Sequence, residues 1–140
     1  MTLPPLKRRL TLLCAPLLAL GVTACGSATV STSSFKGEAK QVAQAIANLQ
    51  SNATAGEERK ICAADLAAPI VTRLGGTKGC ETAIKNQLTE VDSFEVTVQS
   101  VQVAGTKATA NVKSIKSGKT QLSTLTLVRE GGKWKTSELQ

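Results

Sequence analysis

The apolar residues of this chain follow a helical spacing in its first folding part and a two-residue alternation in its second. Val42, Ile46 and Leu49 recur at positions i, i+4 and i+7, which places them on one face of a helix predicted over residues 37–50. Polar residues occupy the other faces of this stretch, and residues 52–56 are predicted to end it. The folding part therefore opens with an amphipathic helix.

Two further helical stretches are predicted before the alternation begins. The first starts near Glu57 and meets Pro69, which either ends that helix or opens a short helix of its own as its first residue. The pair Gly75-Gly76 closes this region. The second starts around Gly79, and its apolar residues share one face: Cys80, Ile84, Leu88 and Val91.

From Phe94 onward the pattern is typical of β-strands. Apolar residues alternate with polar ones from Phe94 to Val98, and Val101 continues in the opposite phase, which predicts a β-bulge near residues 99–100. Turn sequences separate the later strands: Ala104-Gly105-Thr106, Ser117-Gly118-Lys119 and Gly131-Gly132. Helices followed by consecutive strands predict an α+β fold, with N-terminal helices packed on a curved antiparallel β-sheet meander.

The residues ahead of the folding part have the composition of an export leader. Lys7-Arg8-Arg9 forms a cationic segment, and the mostly apolar run 10–20 that follows contains Pro16. Because a membrane-spanning helix needs about 20 predominantly apolar residues, this run favours a cleaved leader over a permanent anchor.

The leader ends in Val22-Thr23-Ala24-Cys25, which resembles the lipobox of bacterial lipoproteins of the actinobacterial type. The resemblance implies that the leader is cut before Cys25, that the thiol of Cys25 receives a diacylglyceryl group, and that palmitate or a similar acyl chain is attached. It also implies a protein anchored by lipid to the extracytoplasmic face of the cell membrane. The alternative is an ordinary cleaved leader that leaves a free Cys25.

Small polar residues with no periodicity fill positions 26–34, which predicts a flexible spacer with Phe35 as the first residue to contact the core. The sequence thus divides into a signal peptide (1–24), a lipidated cysteine with its tether (25–36) and an α+β domain (37–140).

The chain has a formal charge of +7, and its C-terminal part is the basic one. Residues 96–140 contain seven basic and two acidic residues, whereas residues 26–95 contain seven and eight. A basic sheet favours contact with anionic lipid or an anionic wall polymer, with Lys113 and Lys116, alongside lysines 107 and 119, as candidate contacts. The alternative is a solvated basic face.

Cys62 and Cys80 are the only other cysteines outside the leader. In an oxidising compartment such a pair predicts a structural disulfide, which joins the second predicted helix to the third. Two alternatives fit the sequence less well. A metal site would need further ligands, and the chain has no histidine and no other cysteine beyond the leader and Cys25. A redox-active pair would be expected to have the Cys-x-x-Cys spacing, which Cys62 and Cys80 lack.

Candidate chemistry is sparse, and we expect no enzyme activity, no cofactor and no bound metal. The chain has neither histidine nor tyrosine, which removes the commonest general base and metal ligand. Asp65 either lines a cavity or ends a helix, and Trp134 either packs in the core or lines a ligand pocket. With three aromatic residues, the chain is not expected to bind nucleic acid by base stacking.

The folding part resembles small NTF2-like, or cystatin-like, α+β domains of unassigned function in bacterial lipoproteins. The resemblance rests on the helix 38–50, the segment Ile61-Cys62-Ala63-Ala64-Asp65-Leu66, and Leu74-Gly75-Gly76 followed by Cys80. It also rests on the ending Leu125-Thr126-Leu127-Val128-Arg129-Glu130-Gly131-Gly132-Lys133-Trp134-Lys135. It implies a curved sheet that wraps the helices into a cone, sometimes with a pocket.

These observations favour a non-enzymatic, membrane-anchored domain that binds a lipid, a small apolar ligand or an envelope partner. One alternative is a module that uses its basic surface on anionic lipid or wall polymer without a pocket. Another is a weak isomerase or hydrolase of the NTF2-like kind.

Overall fold

The computed structural model describes residues 30–91, 94–116 and 118–139, except for the side chains of Phe94, Lys116 and Leu139. The predicted leader and Cys25 lie outside these residues. Within the part described, no helix has the length and apolar character needed to cross a membrane.

Helix α1 (Gly37–Thr54) is the central helix of the domain. Val42 and Ile46 are almost completely buried on its apolar face, as their spacing predicts, and Ala43 is buried beside them. Leu49, the third residue of the predicted face, is only partly buried and packs against a second cluster. The helix extends four residues past the predicted end at residue 50. The predicted break at residues 52–56 is therefore wrong for residues 52–54, which are helical. Local bonds explain this extension, because the hydroxyl of Thr54 donates to the carbonyl of Gln50, one turn earlier.

The second predicted helix is divided into pieces. Helix α2 (Glu58–Lys60) passes directly into a π-helix over Ile61–Asp65, and the backbone becomes extended at Leu66. Pro69 then lies in the first turn of helix α3 (Ala68–Arg73), where its missing N–H removes no helical hydrogen bond. Pro69 therefore stands at the start of a short helix, as one of the two interpretations has it, but as the second residue and not the first.

Helix α4 (Gly76–Thr89) begins three residues before the predicted start at Gly79. Gly75 stands between α3 and α4 with a φ of 91°, a conformation that favours glycine. At Gly79 the backbone lies so close to the carbonyl oxygen of Leu74 that a Cβ atom would overlap it. Glycine is therefore required where the two helices meet.

The four strands form one antiparallel sheet in the order β1-β2-β3-β4, which confirms the predicted meander and the α+β class. Their bounds are β1 (Phe94–Ala104), β2 (Lys107–Lys116), β3 (Lys119–Glu130) and β4 (Lys133–Leu139). The register between β1 and β2 shifts between Val98 and Ser100, so the predicted bulge is also confirmed.

The main core lies between α1 and one face of the sheet. Ala108 and Ala110 are buried opposite Leu127 and Leu125, and their small side chains leave room for the neighbouring apolar groups. The twelve buried residues of this cluster are Val30, Val42, Ala43, Ile46, Val96, Val98, Ala108, Ala110, Val112, Leu125, Leu127 and Trp134. Apolar side chains of α1 and the sheet thus pack against each other.

A second, smaller cluster contains Ile61, Cys62, Leu66 and Cys80 as its buried members. Cys62 and Cys80 form a disulfide with a Cα–Cα distance of 6.0 Å, as predicted. The bond joins the π-helix to α4, because each cysteine belongs to one of these elements.

Residues 30–36 differ from the predicted tether. Val30 is buried in the main cluster, and Phe35 packs against the same cluster. The expectation that Phe35 is the first residue to contact the core is therefore wrong, and the packed part of the chain begins no later than Val30. The sequence does not indicate this contact, because Val30 makes it alone within a run of small residues.

The two outer strands of the sheet are each contacted by side-chain or backbone groups from the helical part. On β1, the backbone N–H of Val96 donates to the side-chain oxygen of Gln50 over 3.2 Å. On β4, Leu66 forms a parallel bridge with Thr136, and the N–H of Ala67 donates to the Thr136 carbonyl over 2.8 Å.

Candidate functional site

An open groove of about 620 Å³ lies between α1, the π-helix and the turn that joins β3 to β4. Its volume falls in the range of small-molecule sites, about 300–1,000 Å³. The lining residues are Gly37, Lys40, Gln41, Gln44, Ala45, Asn48, Ala64, Asp65, Gly132, Lys133 and Trp134. Most of these side chains are polar, which suits a polar ligand.

Trp134 lies in this groove near the start of β4, where it pairs with Arg129 of β3. The preceding Gly131 and Gly132 both have positive φ angles, as the tight turn requires. The side chain of Trp134 is buried, and its Nε1 atom has no hydrogen-bond partner among the residues that the structure describes. An unpaired buried donor costs about 1–3 kcal/mol, and this nitrogen has no surface open to the groove.

Asp65 is the last residue of the π-helix and the one carboxyl group that lines the groove. Burial is the main influence on it and raises the pKa of its carboxyl above the usual 3.8. A hydrogen bond of 2.7 Å from the Nδ2 atom of Asn52 opposes this rise in pKa, as does the charge of Lys135. The helical extension of α1 is what carries Asn52 to this carboxyl.

The wall that holds Asp65 is fixed to the sheet. The ammonium group of Lys135 donates to the carbonyl of Ala63 over 3.2 Å, and the N–H of Ala68 donates to the carboxylate of Glu130. Together with the bridge from Leu66 to β4, these bonds hold the π-helix against the strand that carries Trp134. π-Helices occur frequently at functional sites, and this one places Asp65 in the groove.

Positive charge stands at the groove through Lys40 and Lys133, which are both exposed. Among the described ion pairs neither lysine has a partner, whereas the nearby Arg129 is paired with Glu38 over 2.7 Å. The groove thus offers two ammonium groups and several side-chain amides. Such donors bind an anionic, oxygen-rich ligand.

The predicted site residues are not brought together. Trp134 lines the groove, whereas Lys113 is exposed on the opposite face of the sheet and does not reach it. Lys116 ends β2 with an undescribed side chain, and Cys25 lies outside the described residues. No group of three or more metal-ligating side chains occurs within the part of the chain that the structure describes.

Sequence reasoning missed the lysines and amides of the groove. Lys40, Gln44 and Asn48 recur every four residues, so they form a polar stripe along α1. The signal was present as periodicity of polar residues, but an exposed helix face has the same pattern. Only the nearby Trp134 and Asp65 distinguish a polar stripe that lines a groove from an ordinary exposed helix face.

Neither a search against protein-family profiles nor one against curated proteins finds a match to this sequence. Two solved structures are similar in fold. The designed NTF2-like protein Rd1NTF2_05, in a five-substitution version, is 15% identical with a TM-score of 0.48, over 69% of this chain and 92% of that one. A de novo designed protein with a curved β-sheet is 17% identical with a TM-score of 0.38, over 46% and 61%. At these values the α+β assignment rests on the elements of the chain itself.

Proposed function

We propose that this protein is a membrane-anchored lipoprotein on the extracytoplasmic face, with an NTF2-like domain that binds a small, polar, anionic ligand in its groove without transforming it. The observation that carries the proposal is the lining of the groove, where the exposed Lys40 and Lys133, which have no partner among the described ion pairs, stand with the side-chain amides of α1. Ammonium and amide groups donate hydrogen bonds to anionic oxygens, so this lining favours an anionic ligand.

The composition of the groove favours a polar ligand over a lipid chain or another apolar molecule. Polar side chains belong to six of its eleven lining residues, namely Lys40, Gln41, Gln44, Asn48, Asp65 and Lys133. The space between α1 and the sheet, where an apolar ligand would be held in a cone, contains Ile46 and Leu127 instead.

The residues present support binding rather than catalysis. Asp65 is a single carboxyl whose described neighbours are the amide of Asn52 and the cation of Lys135. General acid–base catalysis usually employs a second titrating group within reach, and histidine and tyrosine are missing from the chain. Asp65 therefore serves as an acceptor for a hydroxyl or amine of the ligand.

The anchor is supported by the leader and by the position of Cys25. Two acyl chains hold a protein on a bilayer firmly where a single chain is marginal, so diacylglyceryl attachment at Cys25 suffices.

Native mass spectrometry of the mature chain, extracted from membranes in detergent, tests both parts. We expect an N-terminal diacylglyceryl mass at Cys25 and a non-covalent adduct of small mass. The double variant Lys40→Gln/Lys133→Gln removes both ammonium groups from the groove, so we expect it to lose the adduct.

The control Leu122→Ser changes an exposed residue far from the groove and is expected to keep the adduct. A folded protein with no adduct, from an envelope extract rich in small metabolites, would contradict the binding function. An unmodified Cys25 would contradict the anchor independently of the groove.

A further inference from the structure

The groove has a long axis that follows α1. Its outermost lining residues on this helix, Gly37 and Asn48, are eleven residues apart, which corresponds to about 17 Å at the rise of an α-helix. Asp65 marks the far end, because Asn52, one turn beyond Asn48, donates to the Asp65 carboxylate over 2.7 Å. The groove is therefore longer than a single phosphate or carboxylate requires.

The two ammonium groups of the groove stand at its other end. Lys40 belongs to the first turns of α1, and Lys133 opens β4 directly after the turn that joins β3 to β4. This turn lies beside the start of α1, because Arg129, near the end of β3, pairs with Glu38 over 2.7 Å. The charges of Arg129 and Glu38 offset each other, so the two lysines leave this end positive.

The end at Asp65 is negative. The cation nearest to this carboxylate is Lys135, whose ammonium donates to the carbonyl of Ala63 and lies 4.0 Å from the carboxylate of Glu130. One ammonium is thus shared between two carboxylates. The groove is consequently positive where it is exposed at Lys40 and negative where it is buried at Asp65.

Side-chain amides line the groove between its charged ends. Gln41, Gln44 and Asn48 each offer an N–H₂ donor and a carbonyl acceptor. The Nε2 atom of Gln44 donates to the Oδ1 atom of Asn48 over 3.2 Å, and none of the described hydrogen bonds uses the side chain of Gln41. Such a row of donors and acceptors matches a peptide backbone, in which every residue other than proline supplies one N–H and one C=O.

We propose that the ligand of the groove is a short peptide of about four residues in an extended conformation. Its amino-terminal ammonium lies at Asp65, and its acidic carboxyl-terminal end lies at Lys40 and Lys133. This inference rests on the proposed function and specifies the ligand of that same groove. Four extended residues span about 13 Å, which the length of the groove accommodates.

Other anionic ligands match fewer of these groups. Inorganic phosphate engages the two lysines and leaves Asp65 without a donor. A nucleotide also needs an aromatic face for its base, whereas Trp134, the aromatic residue of the groove, is only 5% exposed. An acidic oligosaccharide has hydroxyls for the amides but no positive group for Asp65. A peptide supplies all three kinds of group in the required order.

The test titrates the full chain, purified in detergent, with three probes and measures the dissociation constants by calorimetry. The probes are the peptide Ala-Ala-Ala-Glu, its N-acetylated form, which lacks the ammonium, and inorganic phosphate. Trp134 is the single tryptophan of the chain, so a change in its emission locates binding at the groove. Neither peptide contains an aromatic residue that would obscure this signal.

We expect acetylation to weaken binding about tenfold in the wild type and less than twofold in Asp65→Asn, because the variant has no charge to pair with the ammonium. Asp65→Asn should bind the acetylated peptide as the wild type does, which shows that the groove is intact. Lys40→Gln/Lys133→Gln should weaken binding of both peptides. Lys113→Gln, which removes a lysine on the opposite face of the sheet, should change neither.

Equal binding of the free and the acetylated peptide by the wild type would overturn the proposal, as would an acetylation effect of the same size in Asp65→Asn. Binding of phosphate but of neither peptide would overturn it as well, while leaving the groove as an anion site. If neither the peptides nor phosphate bind, both this proposal and the proposed function are contradicted.

Discussion

The two apolar clusters of this domain are held together in different ways. The main cluster has twelve buried residues from the chain before α1, from α1 itself and from all four strands, whereas the second has four, of which two are the cysteines of the disulfide. Hydrophobic burial grows with the area removed from water, so the main cluster stabilises itself. The second has fewer buried residues, with partly buried apolar side chains packed around them, and a covalent bond crosses it.

This difference matters for the groove, because the groove lies on the border of the two clusters. Trp134 belongs to the main cluster, while Asp65 ends the π-helix that carries Cys62. The disulfide therefore acts on the groove only indirectly, through the segment that holds Asp65.

The largest effect is expected from Leu127→Ala in the main cluster. Leu127 is completely buried, and a leucine-to-alanine change in a core lowers the free energy of unfolding by about 2–5 kcal/mol. Urea denaturation followed by circular dichroism measures the loss. Leu122→Ala is the matched control on the same strand, since Leu122 is exposed, and a loss there as large as at Leu127 would contradict the packing described.

Removal of the disulfide is expected to have the next largest effect. The cysteines are 18 residues apart, and closing a loop of that size contributes about 3 kcal/mol in the chain-entropy model. In the Cys62→Ala/Cys80→Ala variant, amide exchange should accelerate more over residues 58–89 than in β2 and β3. Equal acceleration in both regions would show that the two clusters unfold as one unit.

Gly79→Ala sharpens the same comparison within the second cluster. A Cβ atom at this position overlaps the carbonyl oxygen of Leu74, so backbone atoms have to move. Overpacking of this kind lowers stability by about 1–3 kcal/mol, which thermal unfolding measures. Gln87→Ala, at an exposed position of the same helix, should leave stability nearly unchanged. A stable Gly79→Ala variant would contradict the close contact.

The smallest effect is a pH dependence from Asp65. Burial raises the pKa of this carboxyl above 3.8, so the folded state binds its proton more tightly than the unfolded state. The stability that protonation supplies is complete below the unfolded pKa and is lost as the pH rises through the folded pKa. The measured quantity is the free energy of unfolding of the wild type minus that of Asp65→Asn. This difference should fall as the pH rises from the unfolded pKa through the folded pKa of Asp65. If this difference rises with pH instead, folding lowers the pKa of Asp65, which contradicts the prediction.

The strands were predictable from sequence, and the helical part was less so. Alternation of Val96 and Val98, followed by Val101 in the opposite phase, identified both β1 and its bulge, because side chains on a strand have a fixed period of two. The end of α1 was misplaced, because Thr54 and Asn52 have partners that restrict the backbone only in the folded state. The π-helix has no comparable local pattern.

The groove was predictable only in fragments. Trp134 and Asp65 each had two interpretations, and the structure shows that both line one groove although 69 residues separate them. No local period connects such residues, since the contact depends on how the π-helix docks on β4. Lys113 and Lys116 were identified from charge alone, which says nothing about which face of the sheet they occupy.

The contacts at Gln50 and Ala67 have a consequence for how copies of the protein behave beside one another. An outer strand with uninterrupted N–H and C=O groups is a template for pairing with a neighbouring chain. Copies gathered in two dimensions meet often, so an open edge would promote their growth into shared sheets. The side chain of Gln50 interrupts the edge of β1, and the backbone of Ala67 interrupts the edge of β4. The fold therefore protects against edge-to-edge aggregation.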